Sequence, residues 1–235
     1  MSKGKLIVIE AGDSSGKETQ TKKLFKRLIS EQIKVKKIEF PNYKSDSSAL
    51  VKMYLNGEFG ENASDINPYT ASTFYAVDRA ASYLKEWKSD YMEDMVILTD
   101  RYTTSNAVHQ ASKIKDLQAK QEYLDWLYDL EYIKMGLPIP DCVIFLDMPP
   151  KYGIELMKKR NNKITGNDKK DIHEKNHKFL YDSYDNACAI ADKYEWKRID
   201  CVRDEKLRSI EDIHEDIYDI VINLIKGDYL LSKKI

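Results

Sequence analysis

A chain of 235 residues, 42% hydrophobic and 33% charged, holds enough apolar material for a sizeable core. Its net charge of -1 gives no electrostatic case for a nucleic-acid partner or an anionic membrane surface. No apolar run reaches the length of a membrane span, and the widely spaced Cys142, Cys188 and Cys201 form no metal-ligand pattern and fit a reducing cytoplasm.

Met1-Ser2-Lys3-Gly4 leads straight into Leu6–Ile9, an apolar run short enough for a buried strand, so no signal peptide is expected. A turn of small and polar residues follows. A helical pattern then starts at Gly16-Lys17 and carries Leu24, Phe25, Leu28 and Ile29 to about Ser30. A second strand is expected over Val35 to Phe40, stopped by Pro41, then a polar loop from Asn42 to Ser48. A short helix near Ala49 to Leu55 closes at Asn56-Gly57, and Asn67-Pro68 starts a long helix through Trp87. A third strand, Met95 to Thr99, runs into Asp100-Arg101-Tyr102. Two helices fill Ser105 to Met135. Pro138 and Pro140 bracket the entry to a fourth strand, Cys142 to Leu146. The remainder reads as a helix near Lys151 to Arg160, a polar stretch Asn161 to Lys170, and a helix over Asp171 to Tyr194. A fifth strand near Trp196 to Asp200 and a last helix near Ile210 to Ile225 complete it.

Strands that alternate with helices predict an α/β fold: a five-stranded parallel sheet covered by helices on both faces. Few glycines and prolines and no repeats fit one compact domain over residues 1–235. Ligands of such sheets sit at the C-terminal strand ends. That rule selects Ala11 to Thr19, Phe40-Pro41, Asp100-Arg101-Tyr102 and Asp147.

The stretch Gly12-Asp13-Ser14-Ser15-Gly16-Lys17-Glu18-Thr19 has the layout of a phosphate-binding loop. Backbone N–H groups and a helix N-terminus face an anion there, and a lysine adds positive charge. Against the full pattern, Ala11 stands where the first glycine belongs and Glu18 where a Mg²⁺-binding hydroxyl belongs, with Gly12 and Thr19 one place off. The competing reading is an ordinary strand–turn–helix in which Gly16 only permits the turn.

Several motifs occur in order: this loop, Phe40-Pro41, Tyr75-Ala76-Val77-Asp78-Arg79, Asp100-Arg101-Tyr102 with Ser105-Asn106, and Leu137-Pro138-Ile139-Pro140-Asp141 leading to Leu146-Asp147. Together they make the chain resemble the thymidylate kinase family of P-loop nucleoside monophosphate kinases, from about Lys5 to Leu224. The resemblance implies transfer of the ATP γ-phosphate to dTMP, with Mg²⁺, in a cytoplasmic homodimer with a mobile lid at about residues 160–171. Lys17 would hold the outer ATP phosphates. Arg101 would clamp the acceptor phosphate, the competing reading being a surface ion pair. Asp100 would order the metal, unless it is only a helix N-cap. Tyr75 would stack on thymine, unless it is simply core, and Arg79 would hydrogen-bond a base carbonyl. Phe40 belongs to the same substrate set, Asn106 matches a position near the base, His109 one near the sugar, and Asp13 one at the sugar 3′-hydroxyl. With Ser14 and Ser15 the loop has no arginine, so the lid must supply the transfer cation. Arg160 is the nearest arginine, among Lys158, Lys159, Lys163, Lys169 and Lys170, and Asp171 and Glu174 match an acidic pair. Tyr43 stands near where many relatives carry an arginine. Two alternatives stay open: a kinase for another deoxynucleotide or a deoxynucleoside, and a nucleotide-binding regulator with weakened catalysis, which Glu18 favours.

Overall fold

The computed structural model describes residues 3–13, 15–62, 64–157 and 177–232. Ser14, Arg160, the expected lid and the basic and acidic residues singled out between 158 and 174 lie outside the described residues.

Five strands form one parallel sheet: β1 (Leu6–Ala11), β2 (Val35–Glu39), β3 (Val96–Asp100), β4 (Cys142–Asp147) and β5 (Lys197–Asp200), in the order β2-β3-β1-β4-β5. Every residue of β1 is buried, as a central parallel strand covered on both faces requires. The chain leaves β1 toward β3 and β2 on one side and reaches β4 and β5 on the other. The crevice at the C-terminal end of β1 is therefore the topological switch point.

The helices are α1 (Lys17–Ser30), α2 (Ala49–Asn56), α3 (Pro68–Ser82), α4 (Lys88–Met92), α5 (Thr103–His109), α6 (Leu117–Tyr128), α7 (Pro150–Met157), α8 (His177–Lys193) and α9 (Ile210–Ser232). Side chains alternate across β1. Ile7, Ile9 and Ala11 pack with Leu24 and Leu28 of α1 and Ile213, Ile217 and Val221 of α9. Leu6 and Val8 face the other way, onto Tyr83, Trp87 and Tyr102. Glu10 shares that second face and is fully buried, so a carboxylate stands where the strand pattern calls for an aliphatic side chain.

All five expected strands are present within a residue or two. Two expected helices differ in kind. Pro68 opens α3, with Asn67 accepting from the Thr70 N–H at 3.0 Å, but beyond Ser82 the chain runs as a π-helical segment, Tyr83–Trp87. A second π-helical segment, Asp129–Lys134, extends α6. A small antiparallel hairpin, β6 (Val202–Arg203) with β7 (Lys206–Leu207), was not expected. Its two-residue turn is Asp204-Glu205, both at positive φ (49° and 58°), without the glycine that marks such turns in a sequence. Among the described residues, no helix is long and apolar enough to cross a membrane.

Candidate active site

The β1–α1 loop turns through Gly16, whose φ of 82° suits a residue without a side chain. Ser15 Oγ donates to the Gly12 carbonyl at 2.6 Å, and the Gln20 N–H closes the first helical turn on the Gly16 carbonyl at 3.0 Å. Lys17 heads α1 and is buried. Its Nζ lies 3.4 Å from Asp100 Oδ1, at the end of β3. Burial lowers the Lys17 pKa and the Arg101 charge lowers it further, against the opposing pull of Asp100. Asp100 is not an N-cap: α5 starts after Tyr102 and has no side-chain cap.

Glu18 does not face the loop's interior alone. Its carboxylate accepts from Lys22 Nζ at 2.6 Å, one turn along α1, which is the lysine pairing its position at a helix start allows. Thr19 is exposed on the same turn.

Arg101 leaves β3 with φ of 67°, a conformation that costs a residue with a side chain about 1–3 kcal/mol. Its N–H donates to the Ile9 carbonyl at 3.2 Å, and Thr99 Oγ1 donates to its carbonyl at 2.7 Å. Its guanidinium donates from Nη2 to Asp13 Oδ1 at 2.6 Å. From Nη1 it reaches His109 Nε2 at 2.7 Å, Glu10 Oε1 at 3.3 Å and Ser105 Oγ at 3.4 Å. Since the arginine can only donate, His109 accepts at Nε2. Burial opposes the charge on Arg101, but Asp13, Glu10 and Asp100 outweigh it and hold the guanidinium above its ordinary pKa. Glu10 is in turn held by Thr104 Oγ1 at 2.8 Å and Ser105 Oγ at 2.6 Å.

A polar crevice opens beside Arg101, lined by Asp13, Pro41, Tyr43, Tyr75, Asn106 and His109 among others. Tyr75 meets Tyr54 edge-on, with ring centroids 6.3 Å apart. Asn106 Nδ2 donates to the Ser72 carbonyl at 3.3 Å. Asp78 fixes the loop after Pro41 by accepting from the Asn42 N–H at 2.8 Å and Ser47 Oγ at 2.6 Å. A larger cavity of about 330 Å³ behind α5 is mainly apolar, walled by Leu124, Leu127, Ile139, Val143 and Trp196, and contains neither Lys17 nor Arg101. Of the two, the smaller crevice is the one that Arg101 lines.

Three sequence expectations shift in place. Phe40 is not on the crevice wall: it is buried against Tyr102, ring centroids 6.0 Å apart, and Pro41 and Tyr43 take the wall instead. Arg79 is also behind the wall, 1% exposed, its Nε and Nη2 each donating to Glu131 at 2.6 Å. Asp147, expected at a ligand-binding strand end, is tied to Arg198 Nε at 2.7 Å and Tyr184 Oη at 2.8 Å. Sequence reasoning missed Glu10, Glu131, Thr104 and the wall position of Tyr43. The signal for Glu10 was a carboxylate inside an apolar strand.

Among the described residues, no group of three or more His, Cys, Asp or Glu side chains forms a metal cage. Asp100 alone ends a strand beside Lys17. That donor set fits Mg²⁺, which is held through one or two carboxylates together with substrate phosphates and water.

The family model for thymidylate kinase matches residues 9–217. The chain is 29% identical to the thymidylate kinase of Plasmodium falciparum over 217 residues, covering 92% of this chain and 88% of that one. It is 29% identical to the probable thymidylate kinase of Pyrococcus horikoshii over 225 residues, 96% of this chain and 99% of that one. It is 25% identical to the thymidylate kinase of Danio rerio over 224 residues, 95% and 92% of the two chains. The family model spans the β1–α1 loop, the Arg101 cluster and strands β2 to β5, and the chain belongs to the thymidylate kinase family.

Proposed function

We propose that the chain transfers the γ-phosphate of ATP to the phosphate of dTMP, giving ADP and dTDP. The observation that carries this reading is the Arg101 cluster. A guanidinium oriented by Asp13, Glu10, Ser105 and His109 stands beside the loop that holds Lys17, across from Asp100. A nucleoside would offer Arg101 no phosphate, so a monophosphate acceptor is favoured.

Phosphoryl transfer needs positioning and charge neutralisation more than covalent help. The acceptor oxygen belongs to a phosphate with a second pKa of about 6, so it is already anionic at neutral pH and needs no general base. Lys17 balances the outer ATP phosphates, and its Asp100 contact keeps the ammonium directed into the loop. Arg101 exchanges part of its carboxylate contacts for the acceptor phosphate. Asp13, thereby freed, meets the sugar 3′-hydroxyl, and His109 stands beside the sugar. Tyr75 stacks on the base, with Asn106 near its edge; Arg79, buried in its pair with Glu131, would reach the base only by leaving its place behind the wall. Asp100 would hold Mg²⁺, which when bound neutralises charge on the transferring phosphates. Arg160, which lies outside the described residues, would supply the cation that acts on charge developing in the transition state.

The assembly we propose is a homodimer, for which Val77 and Leu84 leave exposed apolar surface near the substrate helix. Three free cysteines suit a reducing cytoplasm. The Glu18–Lys22 pair favours an active kinase over a weakened regulator, because it takes the carboxylate's charge up locally. Incubation with ATP, Mg²⁺ and dTMP should yield ADP and dTDP in equal amounts by chromatography, with thymidine untouched. Absence of dTDP would refute the reading.

A further inference from the structure

Ser105 and His109, two of the groups that hold the Arg101 guanidinium, belong to α5, a helix of only seven residues. The last carbonyls of a helix find no donor within it. Two side chains meet them here. Asn186 Nδ2, on α8, donates to the Ala107 carbonyl at 2.8 Å and to the Val108 carbonyl at 2.7 Å. Ser112 Oγ donates to the His109 carbonyl at 2.8 Å. With its proton used there, Ser112 accepts from Ser183 Oγ, also on α8, at 3.3 Å. Phe179, one turn before Ser183, stacks on the His109 ring, with centroids 6.2 Å and planes 29° apart. Phe179, Ser183 and Asn186 are buried and share one face of α8 by their spacing.

Asn186 is fixed from its other side. Lys120 Nζ, on α6, donates to Asn186 Oδ1 at 3.0 Å. An ammonium group only donates, so the amide oxygen faces Lys120 and the amide NH2 faces α5. Both amide protons are then spent on adjacent carbonyls of one helix turn. Turning or sliding α5 against α8 would strip buried carbonyls of their donors, which is costly. Arg101 is gripped by Asp13 and Glu10 from the loop and strand, and by Ser105 and His109 from α5. The second half of that grip is held in place by α8.

We infer that Asn186 is a positioning residue for the acceptor phosphate: by holding the last turn of α5 it keeps Ser105 and His109 in register with Arg101. The inference rests on the reading of Arg101 as the phosphate clamp. Asn186 itself touches neither Arg101 nor the crevice lining.

The test is the split between KM for dTMP and KM for ATP in Asn186→Asp, with melting temperature measured alongside. This variant keeps the shape and the Lys120 contact but turns an oxygen, in place of the NH2, toward the two carbonyls. KM for dTMP should rise about tenfold, with KM for ATP within about twofold of wild type. If Asn186→Asp does not fold, Asn186→Ala deletes the donor without adding a charge and carries the same expectation. Ile217→Val, a packing change on the opposite face of the sheet, is the stability control: it should lower the melting temperature and leave both KM values alone. Arg101→Ala is run beside them and should raise KM for dTMP at least as far as the Asn186 variant does. A wild-type KM for dTMP in a folded Asn186 variant, with KM raised in Arg101→Ala, overturns the inference alone. An equal rise in both KM values of the Asn186 variant also overturns it, since that marks a general loosening. An unchanged KM for dTMP in Arg101→Ala overturns the clamp reading, and the inference with it.

Discussion

Glu10 on β1 and Arg101 at the end of β3 meet at 3.3 Å, and the second oxygen of Glu10 accepts from both Thr104 and Ser105. A fully buried carboxylate thus ties the central strand to the start of α5 and sets the direction of the proposed phosphate clamp. Glu10→Gln removes the charge that balances Arg101 and leaves one donor of the cluster without a good acceptor. The expected result is a KM for dTMP raised about tenfold and a folding stability lowered by about 1–3 kcal/mol. Steady-state kinetics and urea denaturation of the same preparation read both. Wild-type values in each would show that Glu10 is dispensable to the clamp.

Lys17→Ala removes the buried ammonium beside Asp100. Turnover should fall by about two orders of magnitude, the scale of a lost charge-stabilising donor. Circular dichroism should show an intact fold. Near-normal turnover in the folded variant would contradict the phosphate-loop assignment.

Glu18 and Lys22 form a half-exposed pair on one helix face, whose loss should change stability by less than about 0.5 kcal/mol. Glu18→Thr restores a hydroxyl at the loop's metal-side position. It should keep or raise activity and lower the Mg²⁺ concentration needed for half-maximal rate, whereas Asp100→Asn should be severely impaired. Rate measured against Mg²⁺ compares the two. Equal loss in both variants would make Glu18 an essential part of the site.

Lys113 donates to Tyr54 Oη at 3.0 Å and to the Ile66 carbonyl at 3.3 Å, and burial pushes its pKa down to about 8 from an ordinary 10.5. Between those two values the unfolded chain binds a proton that the folded chain has released, so this group makes stability rise with pH across that window. Below about pH 8 its contribution is flat. Urea melts of the wild type and Lys113→Met from pH 7.5 to 10 should show a steeper rise for the wild type. Parallel curves would contradict the assignment.

Much of the scaffold was legible because its signals are local. The run Leu6 to Ile9, the Gly16-Lys17 punctuation and the Asn67-Pro68 helix start each act through neighbours in sequence, and each marks an observed element. Arg101 was legible from its place after a strand, and Asp13, His109 and Ser105 from their motifs, but Glu10 was not, nor was the convergence of all four on one guanidinium. The contacts missed are the distant ones. Arg79 and Glu131 are 52 residues apart, and Glu10 reaches Arg101 across 91. No periodicity announces such pairs, although a carboxylate in a buried strand or helix stripe hints that a partner exists. The motifs put Phe40 and Arg79 in the substrate-binding set, and motif order does not say which way a side chain turns; both are buried behind the crevice wall. The π-helical segments escaped for a similar reason: an extra residue in a turn leaves the apolar pattern nearly intact.

The central claim, a pyrimidine monophosphate acceptor clamped by Arg101 beside the Lys17 loop, is tested most directly by one competition experiment. The enzyme is given ATP, Mg²⁺ and an equimolar mixture of dTMP, dUMP, dCMP, dAMP and dGMP, and the diphosphates formed are separated and counted. The expected outcome is dTDP as the first and most abundant product, with dUDP slower and purine diphosphates at trace level. A purine diphosphate as the leading product would contradict it.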